Sequence, residues 1–168
     1  MKIGILGSND RAIAIGRLLA SGGHDVTISD PGDDAKAADA ATRAGVTTET
    51  PYRQAMTREV LILAAMPERI DRGLASMGSG AAAIPVDATE PRRGEAHDAQ
   101  ALALKLNDHR VVRALVVLPQ PGANVTICGD DPEAKATVGR MFESSGCVTT
   151  DRGPLAAAVE LEPQASAA

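Results

Sequence analysis

Aromatic residues are almost missing from this sequence: Tyr52 and Phe142 are the whole set in 168 residues, with no tryptophan. Stacking platforms for single-stranded bases are thereby excluded, and a core has to be built from Ala, Val, Ile and Leu. Cysteine is equally scarce. Cys128 and Cys147 are too few for a disulfide scaffold, so a reduced pair in the cytoplasm is expected. Basic residues are outnumbered, 17 against 22 acidic, and the net charge of −5 argues against non-specific nucleic-acid binding. No apolar run has membrane-spanning length, Val60 to Met66 being the longest beside a strand. With a strand pattern beginning at residue 2, no secretory leader is expected. The expectation is a cytoplasmic protein with no nucleic-acid or membrane partner. The three histidines lack metal-ligand spacing and the cysteines lack a C-x-x-C pattern, so no metal is expected. No G-x-S-x-G or Cys/His constellation supports covalent hydrolysis.

What is present begins at once. Lys2 to Leu6 is an apolar run of strand length, and Gly7-Ser8-Asn9-Asp10-Arg11-Ala12 turns the chain. Ala12, Ile15, Leu18 and Leu19 recur at helical spacing, Gly22-Gly23 stops the helix, and Val26 to Ser29 is a second strand ending at Asp30. Strand, glycine turn, helix, strand and acid is the order of a dinucleotide-binding unit. The free N–H groups and dipole of the helix start attract a pyrophosphate, and small residues let it approach.

The fingerprint G-x-G-x-x-G/A reads Gly7, Asn9, Ala12. Asn9 can adopt positive φ, but its side chain fills space that glycine leaves open. Asp10 is expected to cap the helix itself and to repel a diphosphate; two like charges ~4 Å apart cost roughly 4 kcal/mol at an effective dielectric of 20. Arg11 can offset part of this. Asp30 can accept hydrogen bonds from the adenosine ribose, which favours NAD over NADP, or it can simply cap the following helix.

Further along, helical and strand patterns alternate. Residues 32–44 read as a helix ended by Gly45, 46–48 as a short strand, and 51–57 as a short helix. Val60 to Ala64 is continuously apolar, as a parallel strand buried on both faces should be. Pro67 opens a helix to about Met77. A fifth strand over 82–86 contains Pro85, a loop runs from Asp87 to Pro91, a helix covers 95–106, and a sixth strand covers 110–118. Val125 to Cys128 can return antiparallel to that strand. Asp131 caps a helix that opens at Pro132 and ends at Gly146; residues 147–150 form a last strand and 154–161 a short helix.

The predicted fold is α/β, a Rossmann-like doubly wound, mostly parallel sheet with a short antiparallel addition near the C-terminus. It forms a single domain over 1–163 with a frayed tail. Its ligand crevice should be faced by the turn after strand one, Ser29 and Asp30, Ala65-Met66-Pro67, and Thr89-Glu90.

Several stretches together resemble the small NADP oxidoreductases that depend on the deazaflavin coenzyme F420. They are Lys2-Ile-Gly-Ile-Leu-Gly-Ser8, Gly23 to Ser29, Val60 to Ala64, Val86-Asp-Ala-Thr-Glu-Pro91, Val111 to Ala114, and above all Cys128-Gly-Asp-Asp-Pro-Glu-Ala-Lys-Ala136. Asp151 to Leu155 and Leu161 to Pro163 fit that family's ending. The resemblance covers most of the chain and implies a nicotinamide cofactor in the crevice, with hydride transfer to a second cofactor or small substrate. This chain departs from the family at Asn9, Ala12 and Asp10. Asp30-Pro31 replaces the polar residue and Arg that serve a 2′-phosphate, Glu90 replaces Asn, and Arg113-Ala-Leu-Val116 replaces Lys-Ala-Phe-Asn. These departures count against coenzyme F420 and against a preference for NADP.

Hydride transfer asks a protein for positioning, exclusion of water and at most one acid. Thr89 and Glu90 are the candidates for that chemistry, with a capped loop and a solvated acid as the plainer reading. Asp87 is read as the loop's anchor. His24 is read as structural, His97 as solvated and His109 as lacking an evident partner; Arg92 and Arg93 can meet an acidic substrate. Three functions follow. The first is a nicotinamide-dependent oxidoreductase. The second is a cofactor-independent enzyme that uses Asp10, Asp30 or Glu90 for a non-redox cyclisation, isomerisation or elimination. The third is a non-catalytic binding relative. A homodimer is expected, with a second chain completing the pocket wall.

Overall fold

The computed structural model describes residues 1–48, 52–65, 67–74, 83–90, 98–117 and 119–161, with the side chains of 53, 56, 67 and 68 left aside. In chain order the elements are β1 (Lys2–Leu6), α1 (Asp10–Ser21), β2 (Asp25–Ser29), α2 (Asp34–Ala44), β3 (Thr47–Thr48), a 3₁₀ turn (Tyr52–Thr57), β4 (Val60–Leu63) and α3 (Pro67–Leu74). Then come β5 (Ile84–Asp87), α4 (Ala99–Leu106), β6 (Val112–Val116), β7 (Asn124–Gly129), α5 (Pro132–Ser144), β8 (Val148–Asp151), a second 3₁₀ turn (Leu155–Ala157) and α6 (Ala158–Leu161).

The strands form one eight-stranded sheet in the order β3-β2-β1-β4-β5-β6-β7-β8. Every ladder is parallel except β6–β7, where Arg113 lies opposite Cys128. The predicted doubly wound sheet with its antiparallel addition is therefore the observed one. Strand order reverses between β1 and β4, the point at which doubly wound sheets offer a ligand crevice at the carboxyl ends of their strands.

Alternation along the strands divides the interior into two layers. Ile3 and Ile5 of β1 and Val60 and Ile62 of β4 pack with Ile15 and Leu19 of α1, Ala41 of α2 and Met141 and Phe142 of α5. Leu6, Leu61 and Leu63 face the other way, onto Ala55 and onto Ile70 and Leu74 of α3.

Several boundaries differ from expectation for local reasons. β5 runs from Ile84 to Asp87 because Asp87 still pairs with Arg113 of β6. Pro85 is tolerated inside it: Ile84 N and Ala88 N both donate toward β4, so Pro85 faces β6, whose ladder begins only opposite Val86. β6 starts at Val112, since Arg110 folds back onto Asp108 with its backbone N (2.9 Å), Nε (3.0 Å) and Nη2 (2.7 Å). α4 starts at Ala99, where Asp98 caps the amides of Gln100 and Ala101, both at 3.0 Å. The expected helical residues 75–77 and 95–97 lie outside the described part.

Candidate functional site

Gly7 sets the geometry of the first turn. Its φ is 142°, and a β-carbon there would stand 2.7 Å from Ala64 O and 2.9 Å from Ala65 N. Only glycine permits both the angle and the approach. Gly7 N donates to Ser29 O at 2.9 Å, which ties the turn to the end of β2.

The cap of α1 is Asn9, not Asp10. Asn9 has φ −80°, extended rather than left-handed, and its Oδ1 accepts the N–H of Ala12 at 2.9 Å. The reason is reach: an N-cap oxygen takes an amide three residues on, and Asp10 already belongs to the helix. The Asp10 carboxylate is 92% exposed and pairs with Arg43 of α2 at 2.9 Å. It does not fold over the first turn, and the amides of Asp10 and Arg11 have no acceptor among the described residues. In water its repulsion of a phosphate ~4 Å away falls to about 1 kcal/mol, before the effect of Arg43.

Arg11 spans the crevice. Its Nε donates to Ala88 O and its Nη1 to Glu90 Oε1, each at 2.7 Å, joining the start of α1 to the loop after β5. Beneath that link, Arg113 donates through Nη1 to Asp87 O (3.0 Å), Thr89 O (2.9 Å) and Asp87 Oδ1 (3.3 Å). Thr89 gives both its N–H (3.1 Å) and its hydroxyl (2.7 Å) to Asp87 Oδ1. Arg113, Asp87 and Thr89 are all buried, so Asp87 is an anchor of the loop, as its sequence context suggests. Glu90 is 67% exposed and held by Arg11. Thr89 and Ile70 also line a pocket of about 260 Å³ between α3 and α4.

At the end of β2, Ser29 is buried and Asp30 is 1% exposed. Asp30 does not cap α2; Asp33 does, accepting Lys36 N at 3.1 Å. The Lys36 side-chain and backbone hydrogen bonds also hold the Asp33 carboxyl below the usual carboxylate range. Both Asp30 oxygens are engaged instead, Oδ2 by the Ser8 hydroxyl and Oδ1 by the Arg69 guanidinium. Ala65 follows β4 beside Gly7 and Pro67 opens α3, while Met66 lies outside the described residues. The turn after β1 thus touches Asp30 through Ser8, Ala65 through Gly7 and the loop after β5 through Arg11.

Sequence reasoning missed Arg69. Nothing local marks it, since it lies 39 residues from Asp30. Arg113 carried a signal, a charge inside an apolar strand. Of the histidines, His24 is structural: its ring meets Met141 O (3.1 Å), Ser144 Oγ (2.9 Å) and the N-terminal amine (3.3 Å). His109 does have a partner, Asp131 Oδ2 at 3.5 Å. His97, Arg92 and Arg93 lie outside the described residues. Among the described residues no helix is long and apolar enough to cross a membrane.

Residues 2–91 match the model of a family described as NADP oxidoreductase, coenzyme F420-dependent. Metalloreductase STEAP3 of Rattus norvegicus is 30% identical over 175 residues, covering 96% of this chain. The chain spans only 36% of that relative's length. A protein of Arthrobacter sp. FB24, provisionally assigned as an F420-dependent NADP reductase, superposes with a TM-score of 0.73 at 17% identity, covering 96% of this chain and 89% of its own. A reductive aminase of Aspergillus terreus, solved with NADPH and ethyl-5-oxohexanoate, gives 0.75 at 19% identity, covering 95% and 57%. These two superpositions show a shared fold.

Proposed function

The chain belongs to the coenzyme F420-dependent NADP oxidoreductase family, and from that premise we propose that it is a nicotinamide-dependent oxidoreductase. The observation that carries this is the first turn of α1. Its leading amides are uncovered, its one acid is turned to Arg43, and Gly7 brings it against β4 at the reversal of strand order. In this reading Gly7, Ser8, Asn9, Asp10, Arg11 and Ala12 cradle the pyrophosphate through backbone amides and close packing. Ser29 and Asp30 bound the adenosine end, and residues 65–67 line the crevice.

Bound there, a nicotinamide ring would donate or accept hydride. The protein's part is to fix the loop after β5 and keep water away. Arg113 and Asp87 hold that loop. Thr89 helps shape it, its hydroxyl being engaged by Asp87. Glu90, the exposed acid at the rim, is the group placed to meet the substrate. The binding of NADPH by the Aspergillus terreus reductase supports the reading by likeness of fold. NAD against NADP turns on the surroundings of Asp30.

The non-redox reading is weaker. It needs a free acid, and Asp30 is buried and engaged while Asp10 and Glu90 are each paired with an arginine. A homodimer belongs to the same proposal; a mass in solution equal to one chain would refute it.

Titration with NADH and NADPH, read by nicotinamide fluorescence and by thermal shift, tests the function. Saturable binding of either one is expected. Absence of both signals at millimolar cofactor overturns it.

A further inference from the structure

We propose that Arg72, with Arg69 beside it, recognises the adenosine 2′-phosphate, so that this chain selects NADP(H) over NAD(H) despite the acid that ends β2. The inference rests on the nicotinamide reading above and names which cofactor that site takes.

An acid at this position selects NAD when its carboxylate is open to the ribose hydroxyls. Here it is not open. Asp30 is 1% exposed, and its two oxygens are occupied by Ser8 and Arg69. The charge that would repel a 2′-phosphate is neutralised by a guanidinium on the same side.

That guanidinium comes from α3, which bears directly on the turn after β2. A β-carbon on Gly73 would lie 3.1 Å from Pro31 Cγ and 3.6 Å from Leu6 Cδ1, so the helix approaches as closely as a bare backbone allows. Arg69 and Arg72, three residues apart, share one face of this helix. Arg72 reaches Gly32: its Nη1 stands 2.7 Å from where a β-carbon of Gly32 would be, and Gly32 has φ 98°. The turn therefore presents backbone alone, with the Arg72 guanidinium lying on it.

The local charges decide which cation is available. Asp30 is matched by Arg69 and Asp33 by Lys36, at 2.9 Å in the second pair. Asp34, in the first turn of α2, is exposed to water. Arg72 is exposed and has no hydrogen-bond or ion-pair partner among the described residues. The adenosine ribose of a dinucleotide lies at this end of β2, and an arginine there accommodates a 2′-phosphate. A planar guanidinium matches phosphate oxygens by paired N–H donors. Asp30 thus serves as the anchor of Arg69, and the phosphate-reading task passes from the loop after β2 to α3.

The test measures dissociation constants for NADPH and NADH by nicotinamide fluorescence in the full chain and in Arg72→Ala. Adenosine 2′,5′-bisphosphate and 5′-AMP serve as competitors. The unaltered chain should bind NADPH at least about tenfold tighter than NADH. Arg72→Ala should weaken NADPH and the bisphosphate by about 10- to 100-fold, and NADH and 5′-AMP by less than about threefold. Arg72→Lys should fall between, and the preference should shrink with salt.

Arg72 is exposed, so its variant should fold, which a thermal melt checks. Asp30→Ala/Arg69→Ala, which removes the buried pair together, gives a second variant expected to weaken NADPH. NADH binding as tight as NADPH, or equal weakening of both by Arg72→Ala, overturns the inference while the oxidoreductase reading stands. Failure of both cofactors to bind removes the two together.

Discussion

Gly7 and Asn9 do different work within one turn, and substitution separates them. Gly7→Ala meets both a backbone angle that L-residues avoid and a carbonyl 2.7 Å away. A loss of about 1–3 kcal/mol or more is expected from denaturant unfolding. Asn9→Ala removes the cap of α1 and should cost about 1 kcal/mol. Asp10→Ala touches only an exposed pair and should stay within about 0.5 kcal/mol. The reverse ranking of Asn9 and Asp10 would return the capping role to Asp10. Asp10→Ala should also tighten the dinucleotide severalfold at low salt, because it removes a negative charge beside the pyrophosphate.

Among the elements, the β5–β6 corner depends most on one side chain. Arg113 is 1% exposed and holds Asp87 and the carbonyl of Thr89. Arg113→Ala leaves the Asp87 carboxylate buried beside a vacated space, and a cost of about 3–5 kcal/mol is expected in urea unfolding. The double variant Asp87→Asn/Arg113→Met removes both charges, nearly keeps volume and leaves an amide oxygen for the Thr89 donors, so it should lose clearly less than Arg113→Ala. If the single and double variants are equally unstable, the ion pair is not what holds the corner. Asp131 plays the simpler role for α5: it accepts Ala134 N at 2.8 Å with Pro132 opening the helix, a start signal readable without any tertiary knowledge.

At the scale of the whole molecule, both cysteines report on global opening. Cys128 and Cys147 are free and buried, and burial pushes both thiols up from their ordinary value. Neither should react with a thiol reagent at pH 8 in the folded protein, and both should react once urea unfolds it. Fast labelling of the native chain would contradict the packing of α5 and β7. Acid should act through other groups. Burial raises the Asp151 carboxyl, but the Gly153 N–H and the Lys135 ammonium outweigh it, and the result is a lowered pKa. Burial likewise raises Asp108, and the Arg110 hydrogen bonds reverse the sign. A carboxyl lower in the fold than in the open chain stabilises above its unfolded pKa of about 4. That contribution is lost as pH falls through the folded value. Unfolding free energy should therefore be flat from about pH 6 to 5 in these two terms and decline below 4. Asp108→Asn and Asp151→Asn should each reduce the decline.

Local pattern sufficed for the architecture. Continuous apolar runs, glycine stops, Asp131-Pro132 and the alternation of strand with helix are short-range signals. They dictate a parallel sheet with helices on both faces, because each element must bury its own apolar side. The meeting of the β1, β4 and β5 ends follows too, since these strands must lie side by side once the winding is known.

Partnerships across the crevice depended on the folded chain. Arg11 meets Glu90 from 79 residues away, Arg43 draws Asp10 aside from 33, and Arg69 takes Asp30 from 39. No periodicity encodes such pairs; they arise from which helix face the sheet turns toward which loop. An acid read alone as a ribose acceptor becomes the holder of an arginine, and an acid read as a helix cap becomes a surface ion pair. The reason is the same in both cases: a charge takes its meaning from the opposite charge beside it, and that neighbour is chosen by packing.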